Sequence, residues 1–397
     1  MKSLATKPQQ MKRSGIREIL EIAVKTPGCI RLEVGEPNFP TPPHIIEAAA
    51  QAARDGYTKY ALTAGIVPLR EALLAKLRSF NGLDNIGMEN ILVTTGAAFA
   101  LMDTFEAMLN PGDEVLVPDP GWPTYAVQVQ LVGGVPVYYS AYVQDNFVPR
   151  IEEIERQITP HTKAIVLCNP SNPTGAVYPT EILKQIVTLA TKHDLYVISD
   201  EVYEHLIFEG QPTTVAQFDP ERVVGIYSFS KSYSMTGWRV GYAVAPQPLV
   251  GLMSRVIEPN MSCVAMPNQM AALAALVGPQ DAIGTMRLAY QRRRDLVCDL
   301  LQQRGLYQYR PAGAFYIMVD ISGAHQDSYD FAKAFLSEKK VSVAPGATFG
   351  PSSSNYVRVS LATAEADLLE GVTRLCDYLA ENSANPTSQL AGVGTYS

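Results

Sequence analysis

The sequence predicts an α/β protein. One large domain is expected to hold a mostly parallel seven-stranded sheet with helices on both faces, followed by a smaller α+β unit. Three observations carry this. Short apolar runs alternate with helical patterns along residues 68–245, turn-forming Gly, Pro and Asn residues follow several of those runs, and the order of patterns changes after a long helical stretch at 279–305.

Strands are expected at 91–94, 114–117, 136–139, 163–168, 195–199, 223–227 and 241–245. Each is a short apolar run rich in branched residues, bounded by turn formers, and too short for a helix. Helices are expected between them, for example at 68–80, 97–108 and 180–193, the last with Pro179-Thr180 as a start signal. Beyond 279–305, residues 313–320 and 356–360 read as strands and 329–338 and 364–380 as helices. Residues 1–13 are polar and basic without periodicity, and 381–397 are rich in Ser, Asn and Gly, so both ends are expected to be flexible tails. No internal repeat is present.

A chain of 397 residues with 47% hydrophobic and 18% charged residues can bury a large core and has the balance of an ordinary soluble protein. Its net charge of -7 argues against nucleic acid as a general partner, because phosphate backbones require clustered Lys and Arg. The nearest candidates are Lys12-Arg13 and Arg292-Arg293-Arg294, and the second group reads as a solvated helix face. Five cysteines, odd in number and dispersed, indicate neither a disulfide framework nor a zinc site, and the five histidines show no metal-ligand spacing. No metal is expected. The sequence has no apolar signal core and no run of membrane-spanning length, which makes a cytoplasmic location, away from any membrane, the default expectation.

The chemistry concentrates in Ser228-Phe229-Ser230-Lys231-Ser232-Tyr233-Ser234-Met235-Thr236-Gly237-Trp238-Arg239-Val240-Gly241. A lysine amine condenses with a carbonyl once deprotonated, and desolvation or a nearby cation lowers its pKa toward that state. Lys231 sits among hydroxyls and small residues with Arg239 eight positions on. Ser228, Ser230 and Arg239 are residue types that hold a phosphate, the guanidinium engaging two oxygens at once. A lone lysine in a Ser-rich loop reads as a solvated side chain. The surrounding pattern decides.

Thr95-Gly96-Ala97-Ala98 follows a strand and opens a helix, where free N–H groups favour an anion, although such a turn is also an ordinary tight turn. Trp122, in a Pro-rich loop after the next strand, stacks on an aromatic ligand or anchors packing. Asn169-Pro170-Ser171-Asn172-Pro173-Thr174-Gly175 is a sharp turn whatever its function. Asp200 ends a buried apolar strand, where a carboxylate needs a cation or donors, or else caps a helix. Arg358 lies within a β-branched strand, so it should face an anion, either a ligand or a structural carboxylate.

In this order the motifs resemble the class I/II aminotransferases of fold type I, which depend on pyridoxal 5'-phosphate (PLP), over roughly residues 14–378. The resemblance implies that Lys231, from S-x-S-K, forms the Schiff base with PLP. It places the phosphate at Arg239, Gly96, Ala97, Ala98, Ser228 and Ser230, with Trp122 on the cofactor's face. Asp200 then pairs with the pyridine nitrogen. Asn172, from N-P-T-G, and Tyr203 bond the ring oxygen, and Arg358, Asn172 and Gly35 hold the substrate α-carboxylate. Lys231, Asp200 and Tyr203 are the implied catalytic set. Tyr60, in the block that continues to Leu69-Arg70, matches a tyrosine that reaches the neighbouring subunit's phosphate, implying a homodimer with shared active sites. Cis peptides are implied at Asp119-Pro120 and Asn172-Pro173.

The same resemblance divides the chain into a large PLP-binding domain at 46–289 and a small domain from 14–45 and 290–380. It implies transfer of an amino group from an L-amino acid to a 2-oxo acid such as 2-oxoglutarate. Ala98 stands where some aspartate-preferring relatives carry lysine. With Ile16, Tyr125 and Tyr57 it points to neutral or aromatic donors. A PLP-dependent lyase, cyclase or other biosynthetic enzyme is the alternative. A non-catalytic ligand-binding regulator is disfavoured, since no DNA-binding domain is appended and every catalytic position is filled.

Overall fold

β-Branched runs covered by helices on both faces need no polar alternation, and the central strands of this chain show none. In the computed structural model, which describes residues 2–6, 9, 11, 13–324 and 326–383, the first strands are β1 (Ile30–Arg31), β2 (Ile91–Thr94), β3 (Glu114–Asp119) and β4 (Val135–Ser140). They are followed by β5 (Thr162–Cys168), β6 (Tyr196–Asp200), β7 (Val223–Ser228) and β8 (Gly241–Val244). The last four are β9 (Tyr316–Asp320), β10 (Val341–Ser342), β11 (Ala344–Pro345) and β12 (Tyr356–Ser360).

Seven of these form one sheet in the order β2-β8-β7-β6-β5-β3-β4. Its pairs are parallel except that β8 runs antiparallel to both β2 and β7. Ile165, Val166, Leu167, Val197 and Ile198 are fully buried along its centre. Because Cys168 is paired with Asp200, and β7 ends at Ser228, the carboxyl ends of β5, β6 and β7 present their polar residues on one rim. That rim is where ligands bind in sheets of this kind.

The expected helices are present as Val67–Ser79, Ala97–Met108 and Thr180–Lys192. The long stretch at 279–305 forms the helix Asp281–Gln303, preceded by a further helix, Met266–Val277, that was not anticipated. The Arg292-Arg293-Arg294 reading needs correction. Arg292 is exposed, but Arg293 and Arg294 are buried, and Arg294 pairs with Glu209 at 2.8 Å and donates to the Pro311 carbonyl. A guanidinium can be buried there because its charge and donors are matched.

A second, antiparallel sheet has the order β11-β12-β9. Its first expected strand, 313–320, begins only at Tyr316, because Ala314 takes φ +54 and Gly313 bridges separately to Ile207. β1 pairs in parallel with β10, Ile30 opposite Val341, so the N-terminal segment is joined to the C-terminal one. The helix Gly15–Lys25 docks on the helix Ser328–Lys339 through an ion pair between Glu18 and Lys333 at 2.8 Å.

The expected C-terminal tail lies outside the described residues from 384 onward, as do Lys12, His325 and parts of the N-terminal tail. Residues 381–383 instead finish the helix Glu365–Ser383. Asp119-Pro120 and Asn172-Pro173 are cis as expected, and so is Asn169-Pro170. Among the described residues no helix is long and apolar enough to cross a membrane, and no cluster could hold a metal.

Candidate active site

Ser228 ends β7 and caps the short helix Phe229–Ser232, its hydroxyl accepting from the Ser230 N–H at 3.1 Å. This turn carries Lys231 to the rim, where Nζ donates to the Gly35 carbonyl at 2.7 Å. Burial, with help from the Arg358 charge and less from Arg239, lowers the amine to about 8, against the opposing pull of Glu36 and Asp200. An amine so placed is readily deprotonated near neutral pH.

Asp200, at the end of β6, is buried, and burial raises its carboxyl to about 6 in spite of donors from Tyr125 and Val202 and the Lys231 charge. Tyr125 donates to Asp200 Oδ2 at 2.5 Å, and the Val202 N–H donates to Oδ1 at 3.3 Å. No α-helix follows before Phe229, so the helix-cap alternative for Asp200 falls away. A buried carboxylate with a raised pKa is poised to take a cationic partner. Tyr125 is only 1% exposed, packed behind Asp200, and so it forms no wall of a substrate pocket.

The turn at Gly96 has φ +77 and caps the helix Ala97–Met108 without a side-chain partner. A Cβ at Gly96 would sit 2.5 Å from Arg239 Nη2. Only glycine allows the guanidinium this close to the helix N-terminus. Arg239 is itself at φ +52 and is exposed, donating to the carbonyls of Thr236 at 2.8 Å and Thr95 at 3.4 Å. Helix N–H groups and a guanidinium together suit a dianion. The Ala98 carbonyl is occupied by Gln128, while Trp122 is half-buried and meets Tyr125 edge-on, with ring centres 5.4 Å apart.

Arg358 is 2% exposed and has no carboxylate partner within ion-pair distance among the described residues. Its Nη1 donates to Asn172 Oδ1 at 2.9 Å and its Nη2 to the Glu33 carbonyl at 2.6 Å, while buried Nε has no partner. The Glu33 carboxylate is engaged instead by Arg31 at 3.0 Å and by Ser342. The structural ion-pair alternative for Arg358 is thereby removed, and a buried, uncompensated guanidinium is a place for a ligand carboxylate.

Lys231, Asp200, Asn172, Tyr203, Arg358 and Gly35 thus meet at one rim, with Gly96, Ala97, Ser228, Ser230 and Arg239 at the adjoining turns. Tyr60 does not join them within its own chain, being 87% exposed. Two roles were missed, since Tyr125 was expected only as a pocket residue and Tyr316 was not singled out. Tyr125 supports Asp200, and the Tyr316 hydroxyl lies 2.9 Å from that of Tyr203, with its ring 4.2 Å from the Arg358 guanidinium. The register of β9 on β12, Met318 opposite Arg358 and Tyr316 opposite Ser360, puts Tyr316 and Arg358 on one face, a signal visible only once the pairing is known.

These residues fit PLP. Among the described residues the amine forms no ion pair with a carboxylate, burial holds the Asp200 carboxyl up despite the Lys231 charge, and the cradle at Gly96 admits no side chain. A family model for aminotransferase class I and II matches residues 27–375. The chain is 40% identical to the aspartate/prephenate aminotransferase of Thermus thermophilus, over 96% of this chain and 99% of the relative. It is 37% identical to aromatic-amino-acid aminotransferase 2 of Thermococcus litoralis, over 96% and 99%. A solved aspartate aminotransferase from Thermus thermophilus with maleate superimposes with a TM-score of 0.91 at 40% identity, covering 95% of this chain and all of that one.

Proposed function

Because this chain belongs to the class I and II aminotransferases and is a transaminase, we propose that it binds PLP at Lys231 and moves the amino group of a neutral or aromatic L-amino acid to a 2-oxo acid such as 2-oxoglutarate. The observation that carries this reading is the half-buried Lys231 amine, donating to the Gly35 carbonyl at 2.7 Å and lowered to about 8, on the same rim as the buried Arg358 guanidinium that has no carboxylate partner among the described residues.

When bound, PLP supplies an electron sink for the negative charge that develops at the substrate Cα. In this reading Lys231 Nζ would hold the cofactor and, once free, would take the Cα proton as general base. Asp200, held by the hydrogen bond from Tyr125, would pair with the ring nitrogen. Tyr203 and the Asn172 amide nitrogen would donate to the ring oxygen. Arg358 grips the α-carboxylate with Asn172 beside it and the Gly35 backbone opposite, which orients the Cα proton toward Lys231. Arg239, the Gly96–Ala98 turn, Ser228 and Ser230 would hold the phosphate, and Trp122 would cover the ring.

Ala98 at the mouth of the phosphate turn supports neutral or aromatic donors, as does the name of the Thermococcus relative. The names of the Thermus and Pyrococcus relatives favour aspartate as a second reading. Aminotransferase relatives favour transfer over elimination or cyclisation. Exposed Tyr60, Leu62 and Phe99 support a homodimer in which a second copy covers this surface and Tyr60 reaches across. The pairing of β1 with β10 supports a small domain made from 14–45 and 290–380, beside a large one at 46–289.

The test is the half-reaction of the purified holoenzyme with phenylalanine, tyrosine, leucine and aspartate, following visible absorbance and 2-oxo acid together. Loss of absorbance with stoichiometric 2-oxo acid, faster for the aromatic donors, is expected. Ammonia release without loss of absorbance would defeat transfer, and a clear preference for aspartate would defeat the donor assignment.

A further inference from the structure

The Tyr203 and Tyr316 hydroxyls lie 2.9 Å apart in a buried setting, a distance at which one donates to the other. Tyr203 owns a single proton. In the PLP reading on which this inference rests, Tyr203 gives that proton to the cofactor's ring oxygen. Its own oxygen is then left as an acceptor, and the hydroxyl within reach is that of Tyr316.

Tyr316 is held for this task from several sides. Its ring lies against the Arg358 guanidinium at 4.2 Å and edge-on to Tyr203, with centres 5.8 Å apart. Its hydroxyl also touches the Gly35 backbone, where a Cβ would fall 1.7 Å away. The strand pairing of Tyr316 with Ser360 fixes the backbone beneath the ring. Rotation away from Tyr203 would run into these neighbours.

We propose that Tyr316 is a positioning residue that donates its hydroxyl proton to Tyr203 Oη and thereby strengthens the hydrogen bond Tyr203 makes to the PLP ring oxygen. A hydroxyl that accepts a hydrogen bond is a better donor. A better donor stabilises negative charge on the ring oxygen, and the nitrogen joined to Lys231 then holds its proton less tightly. Removing the Tyr316 hydroxyl therefore raises the pH at which that nitrogen loses its proton.

The titratable and charged groups facing the pair are Arg358 on β12, Cys168 and Asp200 at the ends of β5 and β6, and Tyr290 on the helix Asp281–Gln303. Tyr316→Phe leaves all of them in place and keeps the ring against Arg358.

The experiment is a pH titration of the visible absorption band in PLP-loaded wild type, Tyr316→Phe, Tyr203→Phe and the double variant. Tyr316→Phe is expected to raise the midpoint by about half a pH unit, the effect of one modest hydrogen bond on one protonation. In the Tyr203→Phe background the same change is expected to move nothing further. 3-Fluorotyrosine at position 316, a stronger donor of nearly the same shape, should lower the midpoint instead. This arm also covers the case in which Tyr316→Phe fails to fold. An unshifted midpoint in both 316 variants, or an equal shift with and without the Tyr203 hydroxyl, would overturn the proposal while leaving the PLP reading intact. A wild type with no visible band on PLP loading would overturn the PLP reading itself.

Discussion

Asn172 turns its amide oxygen to Arg358 Nη1 across 2.9 Å, which leaves its amide nitrogen as the donor available to the rest of the site. One side chain therefore sits between the guanidinium assigned to the substrate carboxylate and the ring oxygen assigned to the cofactor, and its orientation is dictated by the guanidinium, which has no acceptor to offer.

Arg358→Lys should show what this fork contributes. A lysine keeps the charge but presents no planar pair of donors and cannot serve Asn172, the Glu33 carbonyl and a carboxylate together. We expect kcat/KM for the amino acid to fall about 100-fold, roughly 2.7 kcal/mol, with PLP still bound. Steady-state kinetics alongside the visible spectrum check this. Unchanged kcat/KM would remove Arg358 from the site.

Gly35→Ala places a methyl group 1.7 Å from the Tyr316 hydroxyl. The neighbouring ring is buried and has no free direction, so overpacking should destabilise the fold by about 1–3 kcal/mol and disturb the Lys231 side of the site. Chemical denaturation measures the first effect and the PLP capture rate the second. A variant as stable and as fast as wild type would show that the loop before Glu36 yields freely.

Asp200 links stability to pH. Its carboxyl is raised by burial from 3.8 to about 6, so between these values the folded protein binds more protons than the unfolded chain. In PLP-free protein this makes stability greatest below pH 4 for this group and diminishes it as pH rises toward 6. Asp200→Asn should flatten that slope by about 3 kcal/mol over the window. Urea denaturation of both proteins at pH 4 and pH 6.5 checks it, and parallel slopes would contradict the burial argument.

A shared active site can be tested by mixing. Tyr60→Ala and Lys231→Ala variants each lack one contribution, but a hybrid dimer carries one complete site, with Tyr60 from one copy and Lys231 from the other. After subunit exchange an equimolar mixture should recover about a quarter of wild-type activity, since about half the dimers are hybrids with one of two sites restored. Absence of recovery, despite exchange proven by mass labels, would confine Tyr60 to its own chain.

The legible parts of the sequence were those with one physical explanation. β5 and β6 read as strands because apolar residues buried on both faces leave no helical period, whereas β1, β10 and β11 are two residues long and have no period at all. Asp200 and Arg358 stood out because ionisable groups in apolar runs demand partners, whereas Lys231 was assigned through the motif around it and the resemblance that motif carries. Tyr316 did not stand out, since a tyrosine in an apolar run reads as core, and Tyr125 was read as a pocket residue rather than a partner of Asp200, because the partner of a hydroxyl is decided by a different element. Arg293 and Arg294 failed in the opposite sense. Arginines in a polar helix read as surface, and the groups that compensate Arg294, Glu209 and the Pro311 carbonyl, lie on distant loops.

The bond from Arg358 to the Glu33 carbonyl spans 325 positions of sequence. Since the ribosome delivers residue 33 early and residue 358 near the close of synthesis, a nascent chain can assemble most of the large sheet long before it can grip an amino acid. A chain stopped before β12 would therefore carry Lys231 and Asp200 without the guanidinium that lies beside Asn172.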